Sequence, residues 1–262
     1  MTLVLESRGV SVSFGGVHAL ADVDVVVEPG QLVGLIGPNG AGKTTFIDAI
    51  SGFVDYRGTV SLDGRDLSGM RPHARAQLGL ARTWQSIELF DDLTVRENIA
   101  VAADHPSVWG SLKEVVSGPA GTTDQVDDAL RVFGLADRDE AMPTELTQAE
   151  RKLVGVARAL AASPRLLCLD EPAAGLDAVE SEALGRHLRE IADRGTATLL
   201  VDHDMGLVLS ISDYVVVLEF GEVIAKGTPD AVRRDPNVIS AYLGGAGADV
   251  AAALGAETGG AS

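Results

Sequence analysis

The chain of 262 residues contains a single cysteine, Cys168. One thiol excludes an intrachain disulfide and any multi-cysteine metal site, and its place in Leu166-Leu167-Cys168-Leu169 points to a buried strand position. A reducing cytosol suits that usage. Aromatic residues are scarce at 4%, and basic residues are few, 21 Lys and Arg against 38 Asp and Glu, a net charge of −17. Such a chain repels a phosphate backbone, and no basic cluster or basic-aromatic stripe exists to track one, so no nucleic-acid partner is expected. No apolar run approaches the roughly 18 residues that span a bilayer, and Met1-Thr2-Leu3-Val4-Leu5-Glu6 lacks the basic start and apolar core of a secretion signal. Any membrane role is expected to run through a partner. Apolar residues are plentiful at 46%, enough for one large α/β domain or a core with an inserted subdomain.

The most informative stretch is Gly37-Pro38-Asn39-Gly40-Ala41-Gly42-Lys43-Thr44, which fits G-x-x-x-x-G-K-[ST] directly after the apolar run Leu32-Val33-Gly34-Leu35-Ile36. A strand, a phosphate-binding loop and a helix are expected in that order. The glycines let successive N–H groups turn inward around a β-phosphate, Lys43 bridges phosphates, and the Thr44 hydroxyl can coordinate Mg²⁺. A helix opening near Lys43 adds its positive dipole end. The plainer alternative is a glycine-rich turn that merely caps a helix.

Residues 3–28 alternate in places, with Val10, Val12 and Phe14 on one face and Val23, Val25 and Val27 on another, which predicts an antiparallel pair ending at Pro29-Gly30. Residues 57–64 read as a short edge strand and turn, followed by a helix near Pro72 and an extended Leu80-Ala81-Arg82-Thr83-Trp84. From about 86 to 158 the chain is expected to be mostly helical. There Thr94-x-x-Glu97 is a capping box, and Val126, Leu130 and Val132-Phe133 give an apolar face that stops at Gly134. Strands at 165–170, 196–202 and 213–219, with a helix over 178–193, give the βαβ alternation of a parallel sheet. The helical block is thus an insertion into an α/β core. From Gly244 the tail is Gly- and Ala-rich, and disorder is expected.

The run ending in Cys168-Leu169-Asp170-Glu171 describes a buried strand whose acidic end emerges at the carboxyl edge of the sheet, where ligands bind in open α/β folds. Asp170 would hold Mg²⁺ and Glu171 would polarise an attacking water. A helix cap or solvated turn is the alternative for such a pair. His203 in Val201-Asp202-His203-Asp204 ends a further apolar strand at the same edge and could donate to a γ-phosphate oxygen, or be structural. Gln85 could offer its amide oxygen to Mg²⁺ or to the water, or simply be solvated.

Taken in order, Gly37 to Thr45, Gln85, Asp170-Glu171-Pro172, Ala174-Gly175-Leu176-Asp177 and His203 resemble the ATP-binding cassette ATPase of ABC transporters, over about residues 3–243. Ser51-Gly52-Phe53, Ala81-Arg82-Thr83-Trp84-Gln85 and His203-Asp204-Met205 are similar to an ATPase subunit of branched-chain amino acid importers. The resemblance implies a RecA-like P-loop NTPase core with an antiparallel β subdomain and an inserted helical subdomain. It also implies ATP and Mg²⁺ as ligands and a dimer, homomeric or with a second ATPase subunit, beneath two transmembrane permease subunits. An extracytoplasmic solute-binding protein would act indirectly, and the chain would lie in the cytoplasm on the inner face of the membrane. Thr45 would join the nucleotide-binding set. Phe14 would stack on adenine, though packing in the core is the other reading. Gln85 would couple the membrane subunit to Mg²⁺, the surface near Ile87, Leu89 and Phe90 would receive that subunit, and Asp177 would lie in the loop that crosses between protomers.

One stretch departs from the family. Where the family's signature Leu-Ser-x-Gly-Gln is expected, this chain has the variant Leu146-Thr147-Gln148-Ala149-Glu150. Ala149 places a methyl where glycine lets the backbone approach the partner's γ-phosphate, and Glu150 brings a carboxylate toward that anion. Thr147-x-x-Glu150 also fits a capping box in which Glu150 folds back to the Thr147 N–H. An import motor is the leading reading. A soluble non-transport switch fits the acidic charge poorly, and a P-loop kinase or GTPase lacks support, since no Asn-Lys-x-Asp is present.

Overall fold

The computed structural model describes residues 3–84, 88–103 and 122–243. Gln85, Ile87 and the tail from Gly244 lie outside them. The first two strands, β1 (Leu5–Phe14) and β2 (Val17–Val27), pair antiparallel, joined at Gly15-Gly16. Val10, Val12, Val23, Val25 and Val27 are all buried, as their alternation demands. Phe14 is not: the ladder shifts register between Val12 and Ser13 just before the hairpin, and the ring is 53% exposed rather than packed with Val10 and Val12. The strand β4 (Arg57–Leu62) pairs with β1 on one side and with the two-residue β5 (Arg65–Asp66) on the other. The expected edge strand is therefore an inner one, because the turn at Asp63-Gly64 returns the chain to cover it.

The second sheet runs β10-β9-β3-β8-β7-β6. Its strands are β3 (Leu32–Ile36), β6 (Leu80–Arg82), β7 (Leu166–Asp170), β8 (Ala197–Val201), β9 (Tyr214–Glu219) and β10 (Glu222–Gly227). All pairings are parallel except β9 with β10, a hairpin absent from the sequence reading. Every residue of β3, β7 and β8 is buried, as expected for parallel strands covered on both faces. Leu32 and Ile36 point into one apolar cluster, while Val33 and Leu35 point into another shared with β1, β2 and the helix α1 (Lys43–Ser51). Close approach is built in: a Cβ at Gly34 would lie 2.3 Å from Val208 Cγ1.

Between β6 and β7 the described chain is helical. Beyond α2 (Pro72–Gln77), which precedes β6, come α3 (Val95–Ala103), α4 (Thr122–Val132) and α5 (Gln148–Ala161), these three packed on one another. The box at Thr94 and Glu97 closes with bonds of 2.8 and 3.2 Å, and Gly134 takes a φ of +65 beyond α4. The chain then continues through α6 (Ala178–Asp193), α7 (Met205–Ile211), α8 (Pro229–Arg233) and α9 (Pro236–Leu243). Cys168 lies in the middle of β7 with no exposure, and burial pushes its thiol up to about 12. No helix among the described residues is long and apolar enough to cross a membrane.

Candidate functional site

The loop after β3 is shaped by its glycines. A Cβ at Gly37 would sit 2.1 Å from the Leu218 carbonyl oxygen, and one at Gly42 (φ +103) 2.6 Å from that of Ala19. Only glycine fits either place. Gly40 (φ +80) has open space where a Cβ would be. Pro38, Asn39 and Ala41 complete the turn, with Ala41 N–H donating to the Pro38 carbonyl. Gly42 caps α1, so Lys43, Thr44 and Thr45 form its first turn, where unpaired N–H groups and the helix dipole favour an anion. The Lys43 ammonium donates to the carbonyls of Gly37 at 2.6 Å and Pro38 at 3.0 Å. Burial holds its pKa below the ordinary lysine value, against the upward pull of Glu171, Asp170 and Asp202. From the far end of the chain, Tyr242 on α9 reaches the Gly37 backbone with its hydroxyl.

The parallel order sets β3 beside β8 and β8 beside β7, so the phosphate loop, Asp170-Glu171 and Asp202-His203 all leave the sheet at its carboxyl edge. Asp170 is 3% exposed. Its Oδ2 takes a bond from Arg82 Nη2 at 3.0 Å, while Oδ1 is buried and has no hydrogen-bond partner among the described residues. Burial pushes the Asp170 carboxyl up, and Arg82 opposes that shift. Glu171 takes a φ of +50, a costly conformation for a residue with a Cβ. A 2.7 Å bond from its N–H to the Val201 carbonyl holds it there. His203 is half-exposed, its Nδ1 3.5 Å from Asp202 Oδ1 and 4.0 Å from Glu171 Oε2.

Three residues without a role in the sequence reading tie this edge together. Asp202, 1% exposed, accepts from the N–H groups of Ala173 at 2.9 Å and Asp204 at 3.0 Å, and burial raises its pKa. Lys152, on α5, donates to the carbonyls of Pro172 and Ala174, so the helix carrying the variant signature is pinned to the segment after Glu171. Arg82 joins Asp170 to Asp48 of α1. The signals were there, a cation in an apolar strand and another on an apolar helix face, yet their partners lie far off in sequence.

The remaining sites are separate from this cluster. Thr147 caps α5, accepting from Glu150 N–H at 3.2 Å, while Glu150 accepts from Thr147 N–H at 2.8 Å and from Arg138 Nε at 3.1 Å. Glu150 therefore folds back, with both oxygens engaged, and its pKa is held below the ordinary value first by the Thr147 N–H. Ala149 lies within that first turn. The Gln148 amide nitrogen would be 3.3 Å from a Cβ at Gly175. Asp177 caps α6 in a reciprocal box with Glu180. A cavity of about 780 Å³ opens between Arg82, Trp84, Phe90, Val101 and Arg158, and reaches Glu171. Leu89 lines its wall but is itself buried, at 8% exposure.

Residues 20–174 match the ABC transporter family, and residues 222–248 match a branched-chain amino acid ATP-binding cassette transporter family. The chain is 36% identical to the high-affinity branched-chain amino acid transport ATP-binding protein BraF of Pseudomonas aeruginosa, over 92% of this chain and 98% of that one. It is 35% identical to a probable branched-chain amino acid transport ATP-binding protein, LivG, of Archaeoglobus fulgidus, over 92% and 95%. The crystal structure of an ATP-binding cassette of an ABC transporter in its ADP conformation superposes with a TM-score of 0.79 at 29% identity, covering 93% of this chain and all of that one. The chain belongs to the ABC transporter family as one of its ATP-binding, ATP-hydrolysing cassettes.

Proposed function

We propose that this cassette energises import of a small polar solute of the branched-chain amino acid class. It would work with Mg²⁺, beneath transmembrane permease subunits served by a solute-binding protein outside the membrane, and as a dimer with a like or second ATPase subunit. The support is the match over nearly the whole chain to ATPase subunits named for that transport, together with the C-terminal segment 222–248. The observation that carries the chemistry is the convergence of the Lys43 loop and Glu171 on one sheet edge.

Lys43 and the free N–H groups of the loop and first helical turn would hold the β- and γ-phosphates, with Phe14 beside the base. Glu171, with Gln85, would orient water and take its proton as the water oxygen attacks the γ-phosphorus and the bond to the bridging oxygen breaks. His203 would donate to the departing phosphoryl oxygens. The oxygens offered by Asp170 and Thr44 fit a hard cation, which typically takes few protein oxygens and completes its shell on phosphates: Oδ1 is buried without a partner among the described residues and Thr44 carries a hydroxyl. Mg²⁺ bound there would neutralise charge developing on the phosphates.

Glu171→Gln is the test. ATP binding is expected to persist while hydrolysis falls by about 10²–10⁴-fold, the usual share of a positioned base. Hydrolysis at the wild-type rate would overturn the assignment. Solute class is read separately, from uptake of labelled leucine by vesicles holding the cassette with its permease.

A further inference from the structure

Arg82 is a buried charged side chain that bridges two elements of the site. Its side chain is 6% exposed, and its guanidinium spans two carboxylates on different elements: Nη1 reaches Asp48 Oδ1 of α1 at 2.5 Å, and Nη2 reaches Asp170 Oδ2 of β7 at 3.0 Å. Its outer face is closed by rings. The guanidinium carbon lies 4.3 Å from the Trp84 centroid and 5.8 Å from that of Phe53, and these two rings pack edge to face at 4.9 Å. A buried bridge of this kind gains little net stability over apolar packing. What it does supply is geometry, since a planar fork fixes two partners where a point charge cannot.

We propose that Arg82 is a positioning residue for the ATPase reaction. It holds Asp170 by one oxygen, so that the other, buried and without a hydrogen-bond partner among the described residues, is the oxygen presented to the metal. Through Asp48 the same fork locks that carboxylate to the helix that carries Lys43 and Thr44. The two halves of the site, loop helix and acidic strand end, are thus held to one another by a side chain that belongs to neither. Arg82 and Trp84 also line the cavity that reaches Glu171, so whatever occupies that cavity bears directly on the residue that orients Asp170.

This inference rests on Asp170 being the metal-holding carboxylate, and the test separates the two claims. The full chain is titrated with MgCl₂ at fixed fluorescent ATP, and the Mg²⁺ concentration at half-maximal tightening of nucleotide binding is read, with no turnover involved. Loss of a group that orients a metal ligand typically costs about 10–100-fold in metal affinity. Arg82→Gln is expected to raise that concentration at least about tenfold, with nucleotide affinity in EDTA unchanged. Arg82→Lys keeps the charge and serves if Arg82→Gln does not fold; it is expected to recover only part of the loss, because an ammonium lacks the planar fork that meets the two carboxylates with separate nitrogens. Wild-type Mg²⁺ dependence in either folded variant overturns the inference. Asp170→Asn is the control: if it too leaves the Mg²⁺ dependence unmoved, the reading of Asp170 fails, whereas if it alone shifts the curve, only the role of Arg82 fails.

Discussion

Lys43 is buried to 6% exposure, with carbonyls for partners and Glu171, Asp170 and Asp202 within electrostatic reach. Desolvation wins over those acids and its pKa is lowered. Nucleotide phosphates placed against it add negative charge at close range and must raise that pKa. Binding therefore takes up protons in the window between the lowered and restored values. The sign is fixed by linkage: the complex binds more protons than the free chain, so affinity falls as pH rises through that window. Calorimetric titration at alkaline pH, in buffers of differing ionisation heat, is expected to show net proton uptake. Uptake of zero, or release, would contradict the assignment. The Lys43 loop and Asp170-Glu171 were legible in the sequence because each is a local word with its own strand. Arg82, Asp202 and Lys152 were not, since each ties the edge together through a partner 20 to 88 residues away in sequence.

At the level of elements, helix starts were the most legible feature, because caps are local chemistry. The boxes at Thr94 and Thr147 form as their spacing requires. Strand position was less so: β4 became an inner strand and β10 went unread, because neighbours in a sheet are chosen by tertiary packing. The capping box also bears on the variant signature, since Glu150 spends its charge on Thr147 N–H and Arg138. Its pKa is depressed in the folded chain, so its contribution to stability is present above the unfolded value and is lost as pH falls through the folded one. Thr147→Ala is expected to cost about 1 kcal/mol in a urea melt, the usual worth of an N-cap. Glu150→Gln keeps an acceptor and loses the charge. Its deficit against wild type is expected at neutral pH and to fade on acidification below the ordinary glutamate value of 4.5. A deficit independent of pH would mean that the carboxylate charge plays no part in the cap.

For the whole molecule, the parallel order β9-β3-β8-β7 brings the sites at 37–45, 170–171 and 202–203 to one edge, and Lys152 fixes α5 to the segment after Glu171. In the dimer that the family resemblance implies, the stretch Leu146–Glu150 of each chain would face the γ-phosphate held by the other. Two features of the sequence argue against a pair of identical chains: the methyl of Ala149 and the carboxylate of Glu150. The structure weakens the second, because that carboxylate is turned back onto its own helix start and paired. Self-repulsion at −17 per chain is the remaining cost, and salt screens it over about 8 Å at physiological ionic strength. Light scattering of the Glu171→Gln protein is therefore expected to show a doubling of mass with Mg-ATP and none without, more completely at higher salt. A chain that binds ATP yet stays monomeric would leave Ala149 as the obstacle. In that case Ala149→Gly should restore the dimer. Failure of that variant as well would mean that the opposing surface must come from a different cassette.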